Sequence, residues 1–158
     1  MKTNNISPCL WFDTQAEEAM KYYVSVFPNS QMGAVTYYGE GMQLPKGTVL
    51  TATAMLNGQE FMGLNGGPIF KFSEAVSFMV NCDTQEEIDT VWDKLTSDGG
   101  KPVQCGWLTD KYGLSWQIVP TVLRDLMKDA RKFDQVMKVV MTMVKLDIKA
   151  MQQAYDQA

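Results

Sequence analysis

Short blocks of apolar or alternating residues open the chain, at residues 6–12, 30–38, 48–56 and 59–65. Blocks of this length, rich in β-branched and aromatic residues, predict strands. Between the first two, Ala16, Ala19, Met20, Tyr23, Val24 and Phe27 recur at spacings of three and four. That period predicts an amphipathic helix with one buried face. Asn57-Gly58 separates the third and fourth blocks. Both central positions of a two-residue hairpin need positive φ, and Asn-Gly supplies them. The pattern then returns in trimmed form. A strand is predicted over 75–82, a helix carrying Ile88, Val91, Trp92 and Leu95, and shorter strands over 101–104, 107–109 and 115–120.

The two halves form an internal repeat. Asp13-Thr14-Gln15-Ala16-Glu17-Glu18 recurs as Asp83-Thr84-Gln85-Glu86-Glu87, seventy residues later. Gly58, followed by Phe61, is matched by Gly113, followed by Trp116. Each half reads as β-α-β-β-β, and Gly66-Gly67-Pro68 breaks the chain between them. The repeated acidic string could suggest paired catalytic carboxylates. Thr14 with Glu17, and Thr84 with Glu87, fit capping boxes better: the hydroxyl accepts from a free N–H of the first turn, and the Glu reaches back.

Beyond Thr121 the pattern is helical. The clearest helix is predicted over 129–145, where Phe133, Val136, Met137, Val140, Met143 and Val144 make a stripe and Val139 and Met141 widen it. Such a helix packs on the domain or on a second subunit. The expected organisation is one α+β domain over 1–120, with modules 1–66 and 67–120, followed by C-terminal helices over 121–158. The two tandem modules are expected to form a cupped mixed sheet.

Composition narrows the function. The 158-residue chain has a formal net charge of −4, which disfavours a nucleic-acid or anionic-membrane surface. No run is long and apolar enough for a membrane span, and no signal core precedes the first strand, so a cytoplasmic protein is expected. Cys9, Cys82 and Cys105 lack metal-site spacing and read as reduced thiols. There is no histidine, which removes the commonest metal ligand and the commonest general base near neutral pH.

Several strings carry a family resemblance: Ile6-Ser7-Pro8-Cys9-Leu10-Trp11-Phe12-Asp13, Phe27-Pro28-Asn29-Ser30, Leu64-Asn65-Gly66-Gly67-Pro68 with Phe70-Lys71-Phe72, Cys105-Gly106-Trp107-Leu108, and the run from Asp110 to Gln117. With the tandem modules, they resemble the vicinal-oxygen-chelate (glyoxalase-like) superfamily. Within it they resemble the PhnB-like branch, whose label is 3-demethylubiquinone-9 3-methyltransferase. The resemblance is read over nearly the whole chain, tail helices included. It implies a metal held by a ligand from each module's first strand and a Glu from its last. Those positions fall here on Asn5 or Ile6, Ala75, Met62 and Gln117, and Ile69 stands where the family often carries a histidine. A hard cation wants several charged oxygens, so no metal and no other cofactor is expected. The label's methyl transfer would need a glycine-rich turn after the first strand, and Asp13-Thr14-Gln15 opens a helix instead.

If the repeat sets the register, Ser7, Cys9 and Trp11 face the same side as Ala75, Ser77 and Met79, and Glu60, Met62, Leu64, Ser115 and Gln117 join them in one cup. Trp107 and Lys71 border the opening. The opposite faces, with Phe61, Phe78 and Trp116, pack on the helices. The candidate ligand-binding residues are therefore Ser7, Cys9, Trp11, Met62, Leu64, Ser77, Met79, Trp107, Ser115 and Gln117. Glu60 as a base and Cys9 or Cys105 as a nucleophile are the weaker catalytic candidates. This reading expects a metal-free module that binds a small, partly apolar molecule, with an enzyme using a histidine-free site as the alternative. A homodimer is expected from the resemblance and the apolar tail.

Overall fold

The computed structural model describes residues 6–158, so Asn5 lies outside the described residues. The chain divides into two compact units, one ending at Lys71 and the other running from Phe72 to Ala158. In the first, β1 (Cys9–Phe12) leads into α1 (Ala16–Val26), then β2 (Gln31–Tyr37), β3 (Val49–Leu56) and β4 (Gln59–Asn65). In the second, β5 (Ser77–Cys82) leads into α2 (Gln85–Thr96), then β6 (Lys101–Pro102), β7 (Trp107–Thr109) and β8 (Ser115–Pro120). The sheet orders are β1-β4-β3-β2 and β5-β8-β7-β6. In each, the first strand pairs parallel with the last, and the remaining pairs are antiparallel. The α+β class and the β-α-β-β-β repeat read from the sequence are those of the structure.

Period-two alternation fixes which face is buried. In the first sheet Leu10, Phe12, Ala52, Ala54, Leu56 and Phe61 are buried, as are Ala16, Ala19, Met20 and Tyr23 of α1. In the second, Trp116 and Ile118 are buried, and so are Ile88, Val91, Trp92 and Leu95 of α2. Each large apolar side chain removed from water contributes roughly 1.5–3 kcal/mol. The β3–β4 hairpin turns through Asn57 and Gly58, with φ of 44° and 84°.

One expected cap forms and the other does not. Thr84 Oγ1 accepts from Glu87 N at 3.2 Å, and Glu87 Oε2 accepts from Thr84 N, completing the box on α2. On α1 the N-cap residue is Gln15 and no side chain of the cap itself bonds the helix. Asn65 of β4 takes over: its Oδ1 accepts from Ala16 N at 2.8 Å. Glu17 instead pairs with Lys21, one turn along α1.

The tail forms α3 (Val122–Leu126), α4 (Ala130–Val140) and α5 (Ile148–Asp156). The helix expected over 129–145 thus ends at Val140. The carbonyls of Met143 and Val144 accept from Cys105 N and Gly106 N, each at 2.8 Å, in the turn between β6 and β7. Reaching that turn takes the segment out of the helix. Val136 and Val140 of the expected stripe are buried with Leu126, Leu146 and Met151, and Met137 and Met143 pack against them. Met141 and Val144 are exposed.

Candidate functional sites on the open sheet faces

Opposite α1, the first sheet carries a face whose residues are exposed or half-buried. Cys9 stands beside Met62, and Trp11 beside Leu64, across the parallel β1–β4 pair. On the other side of β4, Thr53 neighbours Met62, Thr51 neighbours Leu64 and Met55 neighbours Glu60. Ser7 precedes β1, and its Oγ donates to Glu60 Oε2 at 3.3 Å. Register therefore brings Cys9, Trp11, Glu60, Met62 and Leu64 together, with Ser7 at the edge. The threonines were missed from sequence. Their signal was there: Thr51-Ala52-Thr53-Ala54 places both hydroxyls on one face and both buried methyls on the other.

Trp11 is the fixed wall of this face. Its Nε1 donates to Gly67 O at 2.8 Å, and Phe70 meets its ring edge-on, centroids 4.9 Å apart. The ring lies so close to Gly66 that a Cβ there would collide with it. The Gly66-Gly67-Pro68 string thus holds an aromatic ring as well as breaking the chain. Ile69 and Phe70 are exposed beside it.

On the second sheet, Ser77 pairs with Ser115 and Met79 with Gln117. Across β8, Thr109 pairs with Ser115 and Trp107 with Gln117. Gln117 Nε2 donates to Ser77 Oγ at 2.8 Å. Met79 is 52% exposed, and Ser77, Trp107 and Gln117 are half-buried. Ser115 departs from the expected open position: it is 1% exposed, and its Oγ has no hydrogen-bond partner. Leaving such a hydroxyl unsatisfied costs about 1–3 kcal/mol.

Other candidates fall elsewhere. Cys105 lies in the β6–β7 turn with φ of 60°, and its Sγ is 3.6 Å from Met141 Sδ. Its backbone holds the tail, which is a structural task. Lys71 is exposed outside the strands. Burial, then Glu87 and Asp83, push the Cys82 thiol up to about 11, so it stays protonated near neutral pH. Asp110 is buried but spent: it accepts from Tyr112 N, Leu114 N and Trp116 Nε1.

The residues at the superfamily's ligand positions do not fit a divalent cation. Met62 offers a thioether, and Gln117 offers only one neutral amide oxygen, its Nε2 being the group bonded to Ser77. Ala75 precedes β5, and Ile6 is exposed. Among the described residues, no three His, Cys, Asp or Glu side chains gather where they could hold a metal. Among them also, no helix is long and apolar enough to cross a membrane.

Comparison with known proteins agrees with this architecture. The PhnB protein from Bacillus cereus is 41% identical, with a TM-score of 0.67, covering 74% of this chain and 99% of its own. Protein PA1353 from Pseudomonas aeruginosa is 18% identical, with a TM-score of 0.62, covering 73% of this chain and 96% of its own. The fosfomycin resistance protein FosX from Listeria monocytogenes, in a complex with Mn(II) and sulfate, is 11% identical, with a TM-score of 0.55; the match covers 82% of this chain and 99% of that one. At those identities the last two speak to the fold alone. No curated protein matches the chain. The family described as 3-demethylubiquinone-9 3-methyltransferase matches residues 4–119, which leaves the tail helices outside the match, contrary to the resemblance read from sequence. Over residues 4–119, then, this chain belongs to that PhnB-like family.

Proposed function

We propose that this protein binds a small, partly apolar molecule on its open sheet faces without a metal ion. One observation carries the reading. The face residues Cys9, Trp11, Met62, Leu64, Met79, Trp107 and Gln117 are apolar or neutral and remain accessible in the folded chain. A strand face left apolar and uncovered invites an apolar partner. Methyl transfer is not part of the proposal, since Asp13-Thr14-Gln15 runs straight from β1 towards α1 with no glycine-rich turn to cradle a cofactor.

The enzyme alternative has less support. Glu60 is exposed near the start of β4, its carboxylate accepts from Ser7 Oγ, and no second acid–base group stands beside it in the β1–β4 or β3–β4 pairing. The proposal also includes a cytoplasmic homodimer, supported by the exposed Met127, Met141 and Val144 of the tail. Light scattering that finds only monomer at micromolar concentration would remove the dimer.

A thermal-shift screen of aliphatic and aromatic alcohols, ketones and amides tests the binding reading. A ligand at a hundred times its Kd adds about 2.7 kcal/mol of stability. At least one such compound should raise Tm and quench Trp11 or Trp107 fluorescence. If none does, and a substrate panel reveals turnover that Glu60→Gln abolishes, the protein is an enzyme and the binding reading is wrong.

A further inference from the structure

Resting on that reading, we infer that Ser77, Ser115 and Gln117 form an uncharged seat for the polar end of the bound molecule, a hydroxyl, ketone or carboxamide. Ser115 sits mid-row, with Ser77 on one neighbouring strand and Thr109 on the other. Adjacent strands lie roughly 4.8 Å apart, so one ligand oxygen can reach more than one of these groups. Ser115 Oγ is buried and unpartnered. Buried polar groups are almost always satisfied, so an orphan hydroxyl among other hydroxyls marks a place for a partner.

Its neighbours have capacity to spare. Gln117 uses one of its two side-chain N–H donors on Ser77 Oγ, and among the described residues this is its side chain's one hydrogen bond. Its carbonyl oxygen is left to accept, and the Ser77 hydroxyl, already an acceptor, still has its proton to donate. The seat therefore offers both donors and an acceptor. One row along, Met79 and Trp107 flank Gln117 and give the apolar body something to lie on.

The seat itself carries no charge. Lys101 stands at the end of the row, beyond Thr109, and is exposed. A carboxylate on Ser115 would lose its hydration without gaining a buried cation, and an ammonium would meet no carboxylate. The neutral head group is the class these side chains serve.

The test uses the full chain labelled with 15N and four eight-carbon probes: 1-octanol, octanamide, octanoate and octylammonium. The Gln117 side-chain amide is assigned by its loss in Gln117→Met. The alcohol and the carboxamide should shift that amide and the Ser115 backbone signal. The charged probes should bind roughly tenfold or more weakly. Ser115→Ala should weaken octanol binding roughly three- to tenfold without lowering the Tm of the free protein, since it deletes an unsatisfied group. Tightest binding by octanoate would overturn the neutral seat in favour of an anion site at Lys101. Shifts elsewhere on the sheet that spare Gln117, with no effect of Ser115→Ala, would overturn the seat and leave the binding reading standing. No binding by any probe at any residue would overturn both.

Discussion

The two repeats share a helix-opening string and a sheet order, yet they start their helices differently. In the first unit Phe12 pairs with Asn65 at the end of β4; in the second Cys82 pairs with Pro120 at the end of β8. Asn65 and Pro120 are therefore equivalent positions in equivalent sheets. Asn65 can reach the helix start and Pro120 cannot, because its ring has no hydrogen-bonding group. Where the strand supplies an acceptor, α1 begins one residue later and leaves its Thr unused. Where it supplies none, α2 closes its own Thr84–Glu87 box. One residue on the neighbouring strand decides whether the same local sequence is read locally.

The largest expected effect breaks this comparison directly. Asn65 is 1% exposed; its Oδ1 accepts from Ala16 N, and its Nδ2 donates to Val49 O at 3.0 Å. Asn65→Ala strips partners from two backbone groups and should cost about 2–4 kcal/mol in denaturant unfolding. Thr84→Ala, which opens a cap near the surface, should cost only about 1 kcal/mol. Equal losses would mean that the two helix starts are energetically alike after all.

This contrast also marks what was legible in the sequence. Period and turn signals located the strands because each side chain's face is a local property. The strand faces followed, since Met62 and Gln117 sit between buried neighbours, Cys9 stands beside buried Leu10, and Met79 is more exposed than Phe78 and Val80 on either side. The α1 cap was not legible: its acceptor is 49 residues away. The end of α4 escaped for the same reason, since Cys105 and Gly106 determine where the Met143 and Val144 carbonyls go. Ser115 was placed on the correct strand face, but its burial depends on surroundings that alternation does not describe.

A second asymmetry comes next in size. The first unit has a long β3–β4 hairpin, whereas the second has short strands and is joined by the tail helices. Gly106 is the point of attachment. It has φ of 81°, and a Cβ there would meet Ile118 O at 2.8 Å and the Leu146 side chain at 3.0 Å. Gly106→Ala should destabilise by about 1–3 kcal/mol. Limited proteolysis should then cut the tail before the first unit. Wild-type resistance in the tail would show that the strap does not depend on this close approach.

The smallest effect lies on the surface of that strap. Lys145 Nζ lies 2.8 Å from Asp89 Oδ1 and 3.7 Å from Asp93 Oδ1, and Gln85 donates to Asp89 as well. The Lys145 hydrogen bond, then that of Gln85, hold the Asp89 carboxyl below its ordinary value; the Asp89 bond first, with the charges of Asp89 and Asp93, raises the Lys145 ammonium. A lowered carboxyl contributes stability above its unfolded pKa of about 3.9 and loses it as pH falls through the lower folded value. A raised ammonium contributes below about 10.4 and loses it as pH climbs through the higher folded value. Protection of the tail amides against hydrogen exchange, corrected for the intrinsic pH dependence, should therefore be flat between these limits and fall beyond each. Partial exposure lets water and salt screen the pair, so raising the ionic strength should erase most of the difference between wild type and Lys145→Met. Protection that varies with pH across the neutral range would place the controlling group elsewhere, because neither partner changes charge there.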